Sequence, residues 1–254
     1  MKNLKMFCTE EDKKNIVVGF PKDIFTKYQG VNGLKYILIV MYLRKHLQVF
    51  GKVGMTFNDM VAECGFSTNS RNSFAYYHFR EILCRLQNEG YITTNCDLTT
   101  IPPGKFFEIQ ISAENNLFIT DSNFVTLSVD AFEKIASVNS TVNKTLLAGV
   151  YLYIKQYISN DSHSIKLAYP TKKTIMDGIG IGNEGTLDRI LLTLQKLGLI
   201  YIGKGFFRKS QADPNAFIKV RNVYAFNKED LNDNDCIAVL ESFYKTKIYK
   251  DFNH

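Results

Sequence analysis

TLDRILLTLQKLGLI, residues 186–200, lies position by position over HFREILCRLQNEGYI, residues 78–92. Leu187, Ile190, Leu191 and Leu194 stand where Phe79, Ile82, Leu83 and Leu86 stand in the earlier copy. The spacing i, i+3, i+4, i+7 puts four apolar side chains on one face of a helix. Gly198 and Gly90 follow. Each suits the left-handed residue that ends a helix, because glycine has no Cβ to oppose that conformation. Leu199-Ile200 and Tyr91-Ile92 then open a strand.

The correspondence continues upstream. Thr56-Phe-Asn-Asp-Met-Val61 matches Thr171-Lys-Lys-Thr-Ile-Met176, and each Thr can cap a short helix by accepting a hydrogen bond from an amide of its first turn. Gly65-Phe66 and Gly180-Ile181 close these helices. Before them come longer apolar helical stretches, Lys35 to Val49 and Thr145 to Ile158, each preceded by a Val-Asn pair (Val31-Asn32, Val142-Asn143). Earlier still, Asp23-Ile-Phe-Thr-Lys-Tyr28 matches Asp130-Ala-Phe-Glu-Lys-Ile135. The offset runs 107, 111, 115 and 108, so insertions fall between elements, where loops tolerate them. Five elements in one order read as an internal duplication.

Each repeat therefore reads as a strand or short helix, a long helix, a short helix, a turn, an amphipathic helix and a strand pair. In the first repeat the pair is Tyr91 to Thr94 and Phe106 to Ile111, joined across Pro102-Pro-Gly104. In the second it is Leu199 to Phe207 and Ala216 to Phe226, joined across Asp213-Pro-Asn215. A helix-turn-helix followed by a β-hairpin resembles the winged helix-turn-helix superfamily, and the likeness covers both repeats. It implies an α+β, mostly α fold of two tandem winged-helix domains, at residues 1–116 and 117–230. Residues 231–254 follow as a C-terminal helical tail, with Ile237, Leu240, Tyr244 and Ile248 forming an apolar stripe at helical spacing that packs on the second domain or on a second chain.

That fold implies binding to double-stranded DNA. The major groove, about 12 Å wide, admits the second helix of each pair, while the hairpin reaches the backbone or the minor groove. In the second repeat the expected contacts are Asn183, Thr186 and Arg189 on the helix. Lys172 and Lys173 stand behind the Thr cap, and Lys204, Arg208, Lys209, Lys219 and Arg221 lie on the hairpin. Lysines there position the protein on phosphates and read no sequence. Glu184 also lies off the helix's apolar face. In the first repeat a polar entry, Ser67 to Ser73, supplies Asn69, Ser70, Arg71 and Asn72, with Arg71 and Asn72 as the expected base readers. Tyr76 and Arg80 on the helix and Lys105 on the wing complete the set.

Composition agrees with a binding protein. The chain has 254 residues, 45% hydrophobic and 22% charged, enough to bury ordinary cores. Net charge is +6, with residues 1–118 at +3, 119–230 at +4 and 231–254 at −1. A mild basic excess suits a polyanionic partner. Five separated cysteines (Cys8, Cys64, Cys84, Cys96, Cys236) form neither a disulfide framework nor a CxxC zinc site. No apolar run approaches the roughly 18–20 residues that span a bilayer, and Met1 to Lys14 lacks the apolar stretch of a signal peptide, so a cytoplasmic location without membrane association is expected.

No catalytic set emerges. Tyr76-Tyr77 invites comparison with nicking enzymes, but those need a histidine pair, and His46, His78, His163 and His254 are scattered. Gly178 to Gly185 lacks the Lys-Ser/Thr of a P-loop. The expectation is a non-enzyme without cofactor or metal. Two tandem winged helices in this length resemble the plasmid and phage replication initiators with pseudo-duplicated winged-helix domains. That likeness implies binding to origin repeats, a homodimer through the first domain or the tail, and replication proteins as partners. The alternatives are a winged-helix transcriptional regulator and a winged-helix module that holds a protein partner in chromosome organisation or replisome loading.

Overall fold

Tyr36 to Leu43 are all at most 7% exposed, so the helix that carries them, Lys35–Lys45, has neighbours on every side. The structure, a computed structural model, describes residues 16–28, 30–68, 73–115, 117–118, 123–139, 142–158, 164–213 and 215–250. It is mixed α and β, with helix prevailing and the described strands gathered in small antiparallel sheets. It divides into two compact units, Met1–Gly149 and Val150–His254.

The N-terminal unit runs β1 (Val17–Pro21), α1 (Ile24–Lys27), α2 (Gly30–Gly33), α3 (Lys35–Lys45), β2 (Lys52–Met55), α4 (Phe57–Glu63) and α5 (Ser73–Asn88). It continues through β3 (Ile92–Thr94), β4 (Phe107–Ile111), β5 (Phe124–Ser128), α6 (Val129–Ala136) and the start of α7 (Lys144–Lys155). Thr56 caps α4 in both directions: Asp59 N–H donates to its hydroxyl oxygen at 3.0 Å, and the hydroxyl donates to the Asp59 carboxylate at 2.7 Å. The sheet has the order β2–β4–β3, so β2 adds to the far side of the β3–β4 hairpin. Its inner residues, Val53, Met55, Ile92, Phe107 and Ile109, are buried, and α4 and α5 pack in the same unit through Phe57, Met60, Phe79 and Leu83. Alternation of period two along β4 gives it one buried and one wet face.

β1 and β5 pair antiparallel, with Gly19 opposite Thr126 at the centre. At the offset of 107 that relates Asp23 to Asp130, Thr126 is the counterpart of Gly19. The two equivalent strands thus pair about a local two-fold centred on equivalent residues, Val17 meeting Ser128 and Pro21 meeting Phe124. This pairing, with α6 lying against α3, draws the β5–α6 segment into the N-terminal unit. The compact units consequently part inside α7. Three elements of this unit meet at Lys45, whose Nζ lies 2.6 Å from Glu63 and 2.7 Å from Glu133, while His46 Nε2 lies 2.8 Å from Glu63.

The C-terminal unit holds the rest of α7, then α8 (Lys172–Ile179), α9 (Glu184–Lys196), β6 (Tyr201–Gly203), β7 (Phe206–Lys209), β8 (Phe217–Lys219), β9 (Val223–Ala225), α10 (Asp233–Tyr244) and β10 (Ile248–Lys250). Ala168 bridges Tyr224 on one side of β9 and β6 pairs on its other side, which repeats the β2–β4–β3 order. The hairpin expected as two long strands is broken on its first arm by Gly205 at φ +81°, and its outer half forms the separate sheet β10–β7–β8.

The tail differs from its expected form. Its helix ends at Tyr244, where Lys245 takes φ +54°, and Ile248 lies in β10, paired with Arg208 of β7. Cys236, Leu240 and Ile248 bury against Phe206, Val220 and Val223 of the hairpin. Cys64, Cys84, Cys96 and Cys236 are unpaired thiols, and Cys8 lies outside the described residues. Among the described residues no helix is long and apolar enough to cross a membrane.

Candidate nucleic-acid interface

In the C-terminal unit the short helix α8 begins at Thr171, whose hydroxyl accepts from Thr174 N–H at 3.0 Å. It ends at Gly180, φ +79°. Asn183 then caps α9, its side-chain oxygen accepting from Thr186 N–H at 3.2 Å. Leu187, Ile190, Leu191 and Leu194 are buried, as their spacing requires, and the opposite face of α9 is open to solvent. The Asn183 side-chain oxygen is therefore engaged in starting the helix. Thr186 and Arg189 lie one turn apart on the open face, with the Arg189 Nε donating to the Gly185 carbonyl at 3.4 Å.

Lys172 is held between carboxylates, 2.6 Å from Glu184 and 2.7 Å from Asp188. Hydrogen bonds to Asp188 and Glu184 raise its pKa. Its charge is committed to α9, whereas Lys173, its exposed neighbour on α8, makes no ion pair among the described residues. On the hairpin, Lys204, Lys209 and Lys219 are exposed and make no ion pair among the described residues. Arg208 and Arg221 are drawn to the tail instead. The Arg208 guanidinium lies 5.5 Å from the Tyr244 ring. Arg221 lies 4.0 Å from the Phe243 ring and donates to Tyr169 O at 3.0 Å and to the Tyr244 hydroxyl at 3.2 Å. Arg221 thus acts as a clamp that joins the hairpin to α10.

Between α9 and the hairpin lies an open groove of about 710 Å³. One wall carries Glu184, Asp188 and Leu192, the last 50% exposed, and the other carries Lys204, Lys219 and Arg221. Acid faces base across it, so phosphate is favoured at the hairpin wall and opposed at the helix wall.

In the N-terminal unit, two expected contacts make internal bonds. The single Tyr76 O–H has two acceptors in reach, the Asn58 side-chain oxygen at 2.7 Å and Thr68 O at 3.0 Å, and its bond to Asn58 ties α5 to α4. Arg80 lies over the Phe57 ring at 5.3 Å and donates to Ile101 O at 2.7 Å, which pins the β3–β4 connection. Lys105 is exposed at the tip of that connection. Asn69, Ser70, Arg71 and Asn72 lie outside the described residues.

Of the two partners expected for the tail, the second domain is the one it packs on, while its final strand β10 was missed, its signal being the alternation of Ile248-Tyr-Lys250 after a helical stretch. Sequence reasoning also missed the carboxylate pair on α9, legible as Glu184 and Asp188 at i, i+4 beside a lysine-rich neighbour. Among the described residues no group of three or more His, Cys, Asp or Glu stands close enough to hold a metal ion. No family model matches this chain, and no curated protein matches it.

Proposed function

We propose that the chain binds double-stranded DNA through two winged-helix units that arose by duplication, and that it serves as a plasmid or phage replication initiator at origin repeats. The observation that carries the reading is the C-terminal unit's pair of capped helices beside a hairpin with Lys204, Lys209 and Lys219 exposed and free of ion pairs among the described residues. Lys173, exposed on α8 and without an ion pair among the described residues, adds a further cation, and Arg189 supplies a bidentate donor on α9. The repeated strand order, β2–β4–β3 and Ala168–β9–β6, supports one architecture used twice. In this reading the partner is duplex DNA and no catalytic step is involved.

Selection from a randomised duplex pool, followed by footprinting, tests the role. Tandem direct repeats, or one asymmetric site of about two helical turns, fit an initiator. A short inverted repeat bound by a dimer points to a transcriptional regulator. The hairpin is tested by Lys204→Ala, Lys209→Ala and Lys219→Ala together. Each lost phosphate contact lowers the slope of log K against log salt by about 0.9, so the expected drop is about 2–3. An unchanged slope removes the hairpin from the interface.

A second reading, a module that holds a protein partner, is favoured by half-exposed Leu192 beside Glu184 and Asp188 in the groove. It is preferred if no sequence is enriched and duplex binding vanishes at physiological salt.

A further inference from the structure

Period-two alternation turns Val53, Met55, Ile92, Phe107 and Ile109 inward and gives the β2–β4–β3 sheet an open outer face. Lys52 lies opposite Gln110 on that face, Gly54 opposite Glu108, and Thr93 on the other side of Gln110. Two phenylalanines stand beside these residues in water. Phe106, 62% exposed, rests the outer end of its ring on Gly54, where a Cβ would lie 2.7 Å from the ring's Cζ. Phe50, 87% exposed, stands at the head of β2, its carbonyl accepting from the Gln110 side-chain amide at 2.7 Å.

Folding explains neither ring, since an apolar group stabilises a fold by leaving water and these two remain in it. Phe50 is also left-handed, at φ +66° and ψ +19°, which crowds its Cβ against the carbonyl oxygen. Glycine or asparagine takes that conformation more easily. A bulky side chain that is both strained and unburied points to a partner outside the fold.

The groups between the rings are polar. Lys52, Thr93, Asn95, Glu108 and Gln110 line a shallow depression of about 280 Å³ in the same face. Glu108 N–H takes the Asn95 oxygen at 3.0 Å, and Phe50 O takes the Gln110 amide. A ligand is therefore offered the Asn95 amide as donor, the Gln110 oxygen as acceptor and the exposed Thr93 hydroxyl. Lys52 on the face and Lys105 beside Phe106 are exposed and make no ion pair among the described residues, against the single charge of Glu108. The Asp97 carboxylate, in the β3–β4 connection, is held by Thr99 and Thr100 and balanced by Arg80.

Unpaired bases need rings to stack on, cations for their phosphates, and small donors and acceptors for their edges. A protein partner would need the rings merged in one apolar patch, because it would strip water from Glu108 and Gln110 without replacing their bonds. We propose that this face binds single-stranded nucleic acid. Bases stack on Phe106 and Phe50, phosphates lie at Lys52 and Lys105, and base edges meet Thr93, Asn95 and Gln110. Of the residues assigned to duplex DNA, this site uses Lys105.

The test is fluorescence anisotropy of the full chain with dye-labelled oligo(dT) and oligo(U) of about twelve nucleotides, and with a duplex in parallel. Phe50→Ala and Phe106→Ala are each expected to weaken oligonucleotide binding about 5–100-fold and to leave duplex affinity unchanged. Phe50→Tyr and Phe106→Tyr are expected to bind as the parent does, because tyrosine keeps the stacking face. Lys52→Ala should lower the slope of log K against log salt by about 0.7. Tighter binding of oligo(dT) identifies the strand as DNA, and of oligo(U) as RNA. Both rings are exposed, so thermal unfolding of the alanine variants is expected to match the parent, and the tyrosine variants decide where it does not. Binding that ignores both alanine substitutions is charge-driven at another surface and overturns the site. An equal loss of duplex affinity overturns it too, by putting the rings on the duplex, as does failure to bind either oligonucleotide at low salt. If the double alanine variant instead dissociates a self-associated parent, the face belongs to a second copy of this chain and the proposal falls.

Discussion

Lys172 illustrates how position within a few ångströms decides what a charge can do. Glu184 and Asp188 sit one helical turn apart on α9 and close on its ammonium from two sides. A cation so neutralised has little left for a phosphate, whereas Lys173, one residue on, is exposed and makes no ion pair among the described residues. If the groove takes DNA, Glu184→Gln with Asp188→Asn releases Lys172 and removes two repelling charges. Affinity for duplex is expected to rise about 3–10-fold at low salt, with a steeper salt slope. Fluorescence anisotropy across a salt series checks this, and a weaker complex would show that the carboxylates themselves face the bases.

At the scale of elements, helices are joined by polar ties as well as by apolar faces. Glu63 on α4 receives Lys45 and His46 from the end of α3, and Lys45 also reaches Glu133 on α6. Burial works to raise the Glu63 pKa, but its hydrogen bonds and charge interactions with His46 and Lys45 outweigh that and hold it at about 2. A carboxyl whose folded pKa is depressed contributes stability above its unfolded value, and that contribution disappears as pH falls toward the folded one. Glu63→Gln should therefore cost about 1–2 kcal/mol at pH 7 after allowance for solvent screening. The gap between variant and parent should close between pH 4.5 and about 2, as urea unfolding at stepped pH would reveal. A gap that persists at the acid end would assign the loss to packing instead. The caps belong to the same scale: Thr56, Thr171, Asn183 and Asn232 each accept an amide bond of the first turn, and each starts its helix where the side chain requires.

At the scale of the whole molecule, the two halves share an order of elements and differ in surroundings. In the N-terminal unit β1 and β5 close on each other around Gly19 and Thr126. In the C-terminal unit α10 and β10 cover the hairpin and occupy the free edge of β7, an edge otherwise open to pairing with other chains. Leu240, fully buried there, is the centre of that cover. Leu240→Ala is expected to cost about 2–5 kcal/mol, enough to lower the unfolding transition of this unit well below that of its neighbour. Calorimetry would resolve it, and an unshifted transition would mean that the tail adds nothing to the hairpin's stability.

The sequence by itself determined the helices, their caps and their apolar faces. Leu187, Ile190, Leu191 and Leu194 are buried because a period of 3.6 residues leaves them no other side of the helix. It also determined the element order of the repeats, because capping residues, glycines and periodicity act over a few neighbouring positions. Tertiary structure alone decided which charges are free. Arg221, Arg80 and Tyr76 look in sequence like groups offered to a ligand, and each is instead committed to a partner 52, 21 or 18 residues away. It alone laid Phe106 against Gly54, 52 positions apart, on one sheet face. Local propensity depends on neighbours in the chain, whereas the pairing of a polar side chain depends on whatever folding carries to its tip, and no spacing in the sequence encodes that distance.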